Sequence, residues 1–218
     1  MLMLGWTPPS KRFGSFQGES MNPGRILLLS VAAVSALSFV ANSIRAYPGG
    51  PPPGVTGGFG ERTCNQSGCH NTFALNEGRT SGLGDLVISG VPEQYQPGMT
   101  YSVKVTITHT EGRDAWGFQL AARVKESGAQ AGEFKPTDGT TQTLLEKGIQ
   151  YIEHTLEGTN SNVFELNWAA PSSSTGEIVL HAAGNAADGS LSPDGDYIYS
   201  TSATIAAAPT NARPPGTP

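Results

Sequence analysis

The chain has few charges, only two cysteines and no long apolar run, and each shortage removes a class of function. Charged residues make up 14% of its 218 residues, with a formal net charge of −5. So sparse a charge offers no basic stripe to a nucleic-acid backbone, and nucleic acid is excluded as a partner. No run reaches the roughly 20 apolar residues of a membrane-spanning helix. There is no Gly-x-Ser-x-Gly sequence, no carboxylate pair placed for hydrolysis and no phosphate-binding glycine loop. The chain reads as an electron carrier or a binding module rather than as an enzyme. Amphipathic helical periodicity is missing too, and no internal repeat is visible.

What is present is turn chemistry. Gly (28) and Pro (16) together exceed a fifth of the chain, while hydrophobic residues reach 37%. That balance suits an extracellular all-β protein. Residues 26–40, ILLLSVAAVSALSFV, follow Arg25 and have the length and flanks of a secretory signal, with cleavage expected after Ala46 or Ser43. Residues 1–20 fit no part of such a signal, so Met21 is the more natural start and the first 46 residues read as an over-extended start plus signal peptide. That segment carries four basic residues (Lys11, Arg12, Arg25, Arg45) and one acid (Glu19). The remainder then holds nine basic and seventeen acidic residues, a charge near −8. The expected product is an acidic protein that is secreted, periplasmic or on the cell surface, in an oxidising compartment.

Residues 47–60, YPGGPPPGVTGGFG, read as an extended linker or a coil lying on a partner surface. Residues 61–82 hold both cysteines in a short loop or one-turn helix too small for its own core. From residue 83 to 206 the pattern is β. TYSVKVTITHT (100–110) alternates, with Tyr101, Val103, Val105 and Ile107 on one face. Further strands are expected over 85–91, 115–125, 149–156, 162–170, 176–186 and 196–205. Turns such as Pro97-Gly98, Thr137-Asp138-Gly139 and Pro193-Asp194-Gly195 separate them. Seven or so antiparallel strands without helices predict an immunoglobulin-like β-sandwich. Residues 207–218 read as a disordered tail.

VPEQYQPGMTYSVKVTI, WGFQLAARV, FELNWAAP and GEIVLHAAGNAADG with GDYIY, taken in that order, resemble the Reeler (reelin-type) domain. With the cysteine motif before them, they are similar to the bacterial exported proteins grouped as choice-of-anchor V. The resemblance covers residues 47 to 205 and implies an immunoglobulin-like sandwich in an extracellular setting, without fixing one activity. Such proteins usually end in one of several anchors, and residues 206–218 show no such segment.

The chemistry concentrates in ERTCNQSGCHNTF (61–73). Covalent haem attachment needs two thiols for the two vinyl groups and a histidine after the second to ligate iron, usually as C-x-x-C-H. Here Asn65-Gln66-Ser67-Gly68 lengthens the spacer to C-x4-C-H, and the resemblance implies a spacing that occurs among bacterial multihaem cytochromes. Cys64 and Cys69 would then form the thioethers and His70 the proximal iron ligand of one haem c. Two other readings stand beside it. One is a Cys64–Cys69 disulfide in a haem-free adhesion or surface-interaction module. The other is a zinc site, which the adjacency of Cys69 and His70 disfavours.

A loop of some twenty residues cannot bury a porphyrin, so the sandwich must supply the other wall. His154 in YIEHT is the first candidate for distal ligand, through an echo of a Tyr-x-x-His-Thr stretch in the relatives that the resemblance brings in. His109 is second, ahead of His181 and Met99. Asp188, Asp194 and Asp196 near Asn185 lack the order of a calcium loop, and calcium is not expected. Trp116, Phe118, Phe164 and Trp168 read as core, with stacking on a haem or sugar a second use for one of them. Redox proteins or other surface proteins are the expected partners. Oligomerisation or polymerisation leaves no mark in the sequence.

Overall fold

The computed structural model describes residues 47–66, 69–110 and 112–207. The expected signal segment and start, the spacer residues Ser67 and Gly68, and the tail from residue 208 lie outside the described residues.

Among the described residues ten strands form two sheets. They are β1 (Gly84–Ser89), β2 (Gln94–Tyr95), β3 (Thr100–His109), β4 (Ala115–Val124), β5 (Glu133–Pro136), β6 (Thr141–Glu146), β7 (Ile149–His154), β8 (Val163–Ala169), β9 (Ile178–Ala187) and β10 (Tyr197–Ala207). One sheet has the order β1-β3-β8-β5 and the other β2-β10-β9-β4-β7-β6. All pairings are antiparallel except the short β2–β10 contact. Before the sandwich comes the single-turn helix α1 (Glu77–Thr80). The seven expected strands are all present, and β2, β5 and β6 are additional.

The alternation of β3 places Val103, Val105 and Ile107 fully inside, with Tyr101 packed on Trp168 at a ring separation of 5.8 Å. Phe118 of β4 and Phe164 of β8 meet between the sheets, their centroids 4.4 Å apart. Trp168 is fully buried and its indole Nε1 donates to Ala131 O at 3.0 Å, which satisfies its one polar atom. Phe134 of β5, paired with Trp168, and Tyr95 of β2, its ring 6.2 Å from that of Trp168, pack around the indole. Removing this apolar area from water is the main driving force of the fold.

Antiparallel pairing brings the start of β4, the end of β9 and the start of β10 together, since Ala115 pairs with Ala187 and Tyr197 with Ala186. The end of β7 arrives beside them, where its ladder with β4 stops at the Gln119–Glu153 pair. One end of the six-stranded sheet thus collects four chain segments. The candidate site lies there.

Candidate functional site

Residues 47–60, expected as a linker or a coil on a partner surface, and the following residues 61–66 lie along the sandwich's own six-stranded sheet. The reason is one glutamine. Gln119 Oε1 accepts from Gly54 N at 3.0 Å and Val55 N at 2.9 Å, and Gln119 Nε2 donates to Pro52 O at 3.1 Å. These bonds supply the backbone partners that a Gly/Pro coil cannot find within itself. Thr56 bridges Thr63 across a tight reversal, and Glu61 accepts from Tyr151 Oη at 2.5 Å while pairing with Arg123. Gly58 lies so close to the His181 ring that a Cβ would come within 2.3 Å of Cγ. We call this segment the strap.

The strap delivers the chain into the cysteine loop. Asn65 closes that loop, with Nδ2 donating to His70 O at 3.0 Å and to Phe73 O at 2.7 Å. His70 N donates to Cys64 O at 3.1 Å, so the first cysteine and the histidine are neighbours despite the long spacer. The loop is then clipped to the last strand and the turn before it. Thr72 Oγ1 accepts from Gly195 N at 2.9 Å, Phe73 stacks on Tyr197 at 3.9 Å, and Asn76 Oδ1 accepts from Ser200 N at 2.8 Å. Both cysteines are free thiols. Burial pushes the Cys64 thiol up to about 12, with Cys69 beside it and Glu153 adding to the effect. A thiol so held is protonated at neutral pH and is a poor nucleophile or thiolate ligand as it stands.

His154 sits at the end of β7, next to where the ladder with β4 runs out. Its ring takes over the pairing: Nδ1 lies 3.1 Å from Phe118 N and 3.2 Å from Phe118 O. Gly117 makes this possible, because a Cβ there would fall 2.7 Å from His154 Cε1 and 2.9 Å from Nε2. Burial lowers the His154 pKa, against an opposing pull from the Phe118 and Tyr47 backbones, so the ring is neutral at pH 7. A neutral imidazole with one nitrogen engaged by backbone is the form that ligates metal through the other.

His70 is held differently. Its Nδ1 lies 2.7 Å from Asp196 Oδ2, and the Asp196 side chain is only 1% exposed. The same oxygen accepts from Asn185 Nδ2 at 3.1 Å, and Oδ1 accepts from Asp188 N at 3.1 Å. The acidic residues of this turn all have protein partners. Asp196 serves His70 and the turn, Asp188 Oδ1 accepts from Ser190 N, and Asp194 Oδ2 accepts from Ser192 Oγ.

These pieces surround one cavity of about 370 Å³. Cys64, Cys69, His70 and His154 all line it, together with the apolar walls of Trp116 and Phe118. His109 does not line it; its ring packs on Tyr197 at 4.6 Å. His181 lies under the strap against Phe59, and Met99 is half exposed on the turn before β3. Phe164 and Trp168 belong to the core alone. Among the described residues no group of three or more His, Cys, Asp or Glu side chains is arranged around one ion. A tetrahedral zinc site needs such a group, whereas a haem iron takes only two axial protein ligands. Of the residues expected from the sequence, Cys64, Cys69, His70 and His154 share the cavity; Asn65 acts through contacts within its own loop, and Gly117, Gln119 and Asp196 through contacts distant along the chain.

Fold and site together define an immunoglobulin-like β-sandwich with a cysteine–histidine loop clasped to one end of its larger sheet. Residues 67–184 match the Reeler domain, and the chain belongs to that family. Among solved structures it is similar to the human F-spondin reeler domain, at 22% identity over 57% of this chain and 89% of that one, with a TM-score of 0.42. The reelin-N domain of F-spondin is similar at 24% identity over 57% and 86%, also with a TM-score of 0.42. A cohesin of Acetivibrio cellulolyticus scaffoldin B matches at 14% identity over 53% and 96%, with a TM-score of 0.35. No curated protein matches the chain.

Proposed function

We propose that the chain is an exported Reeler-domain protein that carries one covalently attached haem c and passes electrons to redox proteins in the periplasm or at the cell surface. The observation that carries this reading is the cavity. Two thiols and the histidine after them share it with a second, neutral histidine from the far side of the sheet end. Reeler domains occur in extracellular proteins, which agrees with the export signal expected over residues 26–40.

The residues fit the group. Cys64 and Cys69 would hold the group as thioethers, each thiol adding its sulfur and hydrogen across a vinyl double bond, with no oxidant needed and no leaving group. The resulting thioether suits a buried position that holds Cys64 uncharged. His70 and His154 each keep one nitrogen for the iron, because the other is engaged by Asp196 and by the Phe118 backbone. Trp116, Phe118 and Val55 give the cavity an apolar lining. A haem bound there supplies a one-electron couple whose potential is set by its two axial ligands and its apolar wall.

Protein produced with haem-attachment machinery is expected to show a Soret band, haem staining after denaturation and the added mass of one haem. All three disappear in the Cys64→Ala/Cys69→Ala double variant. His154→Ala converts a low-spin spectrum to high-spin. Colourless protein whose thiols are oxidised to a disulfide would instead make the chain the haem-free surface-interaction module.

A further inference from the structure

The two cavity histidines are held by unlike groups. The Nδ1 of His154 faces the neutral backbone of Phe118, 3.1 Å from its N and 3.2 Å from its O. The Nδ1 of His70 faces a carboxylate that is itself almost wholly buried, at 2.7 Å. The sequence singled out Asp196 only as one acid in a turn, and electron transfer as such makes no demand on it.

We propose that Asp196 is the positioning residue of His70, fixing its tautomer and strengthening Nε2 as a donor toward the cavity. The deduction begins with the carboxylate. It has only acceptors to offer, so a ring nitrogen 2.7 Å away must carry the proton. With hydrogen on Nδ1, the lone pair of a neutral ring is on Nε2, the one nitrogen left for the cavity that His70 lines. A charged acceptor pulls that proton harder than a carbonyl does and makes Nε2 a stronger electron-pair donor toward a ligand in the cavity.

The carboxylate cannot swing away to water, because its other contacts pin it. Asn185 Nδ2 holds Oδ2 and the Asp188 amide holds Oδ1. Asn185 is on β9 and Asp196 immediately precedes β10, so the orienting group is built into the rigid end of the sheet rather than into the cysteine loop. A stronger donor favours ferric over ferrous iron. Asp196 thus sets a lower potential than a carbonyl-held histidine would give.

This inference rests on the haem reading for its redox consequence, but its tautomer half stands without it. In the full-length chain with ¹⁵N-labelled histidine, in the reduced diamagnetic state if haem is present, His70 is expected to be protonated at Nδ1 and not at Nε2. Protonation at Nε2 overturns the inference, with or without haem. In haem-loaded Asp196→Asn, the midpoint potential is expected to rise by at least about 59 mV, a tenfold change in the one-electron equilibrium. An unchanged potential in folded Asp196→Asn overturns it as well, and shows that Asp196 only ties down the turn. Protein without haem removes the function proposed above, while the ring-nitrogen measurement on wild type still decides the role of Asp196 and needs no variant to fold.

Discussion

Glu153 is a carboxyl group with almost no water around it, 1% exposed, beside the site but pointing into the strap's polar seam. Gln119 Nε2 donates to it at 2.9 Å and Gln142 Nε2 at 3.1 Å. Burial outweighs both bonds and raises its pKa from 4.5 to about 7. The sign of the consequence follows from proton counts. Between the two values the folded chain binds more protons at this residue than the unfolded chain, so stability falls as pH rises and is regained on acidification. The contribution is on the order of 3 kcal/mol. Urea unfolding at a series of pH values is expected to show this slope in wild type and its loss in Glu153→Gln; parallel profiles for the two proteins would contradict it. At this scale the sequence was partly legible. Cys64, Cys69 and His70 announce themselves by adjacency, whereas His154 is singled out only by the family resemblance of its YIEHT stretch. Asp196 gave no such signal, since its partner lies across the fold.

Among the elements, the strap and the end of β4 do the assembling. Gly117 is the contact that admits His154, and any side chain there must displace the imidazole. Gly117→Ala is expected to cost about 1–3 kcal/mol through overpacking. It should also release the ring from Phe118, seen as loss of protection of the Phe118 amide in hydrogen exchange. An unchanged Phe118 amide would show that the ring has room to spare. The seven strands visible in the sequence are those with buried alternation or continuous apolar runs. The three that escaped have physical reasons to do so. β2 is two residues long. β5 ends in Pro136, tolerable because β5 is an edge strand. β6 is the opposite sheet's edge and leaves Leu145 74% exposed, which breaks the expected pattern. The strap was misread because glycine and proline predict the absence of regular structure, and say nothing of a glutamine elsewhere that satisfies the backbone.

For the molecule as a whole, the interior between the sheets and the cavity at the end of the larger sheet adjoin at Phe118, which packs on Phe164 and lines the cavity. Trp168, Phe134 and Phe164 touch only the former. Trp168→Ala is expected to cost about 3–5 kcal/mol and to lower the urea midpoint strongly. Cys64→Ala/Cys69→Ala, by contrast, is expected to leave the far-UV circular dichroism of a β-sandwich intact. Equal losses in the two variants would mean that loop and sandwich fold as one inseparable unit. The Reeler match itself spans 67–184, so it contains His70 and His154 but neither Cys64 nor Asp196. The sandwich belongs to the family's fold, while the fittings that complete the site come from the flanks on both sides.

The clips between the cysteine loop and the end of the chain have a temporal consequence. Asn76 bonds Ser200 across 124 positions of sequence and Thr72 bonds Gly195 across 123. A chain that crosses a membrane N-terminus first presents its two thiols long before β10 exists to close over them. During that interval the loop is an open peptide, accessible to an attachment enzyme, with thiols at the ordinary acidity of cysteine. Arrival of the last strand ends the interval. On the proposed reading, any modification of Cys64 and Cys69 is timed by translocation, with the final hairpin of the sandwich as its latch.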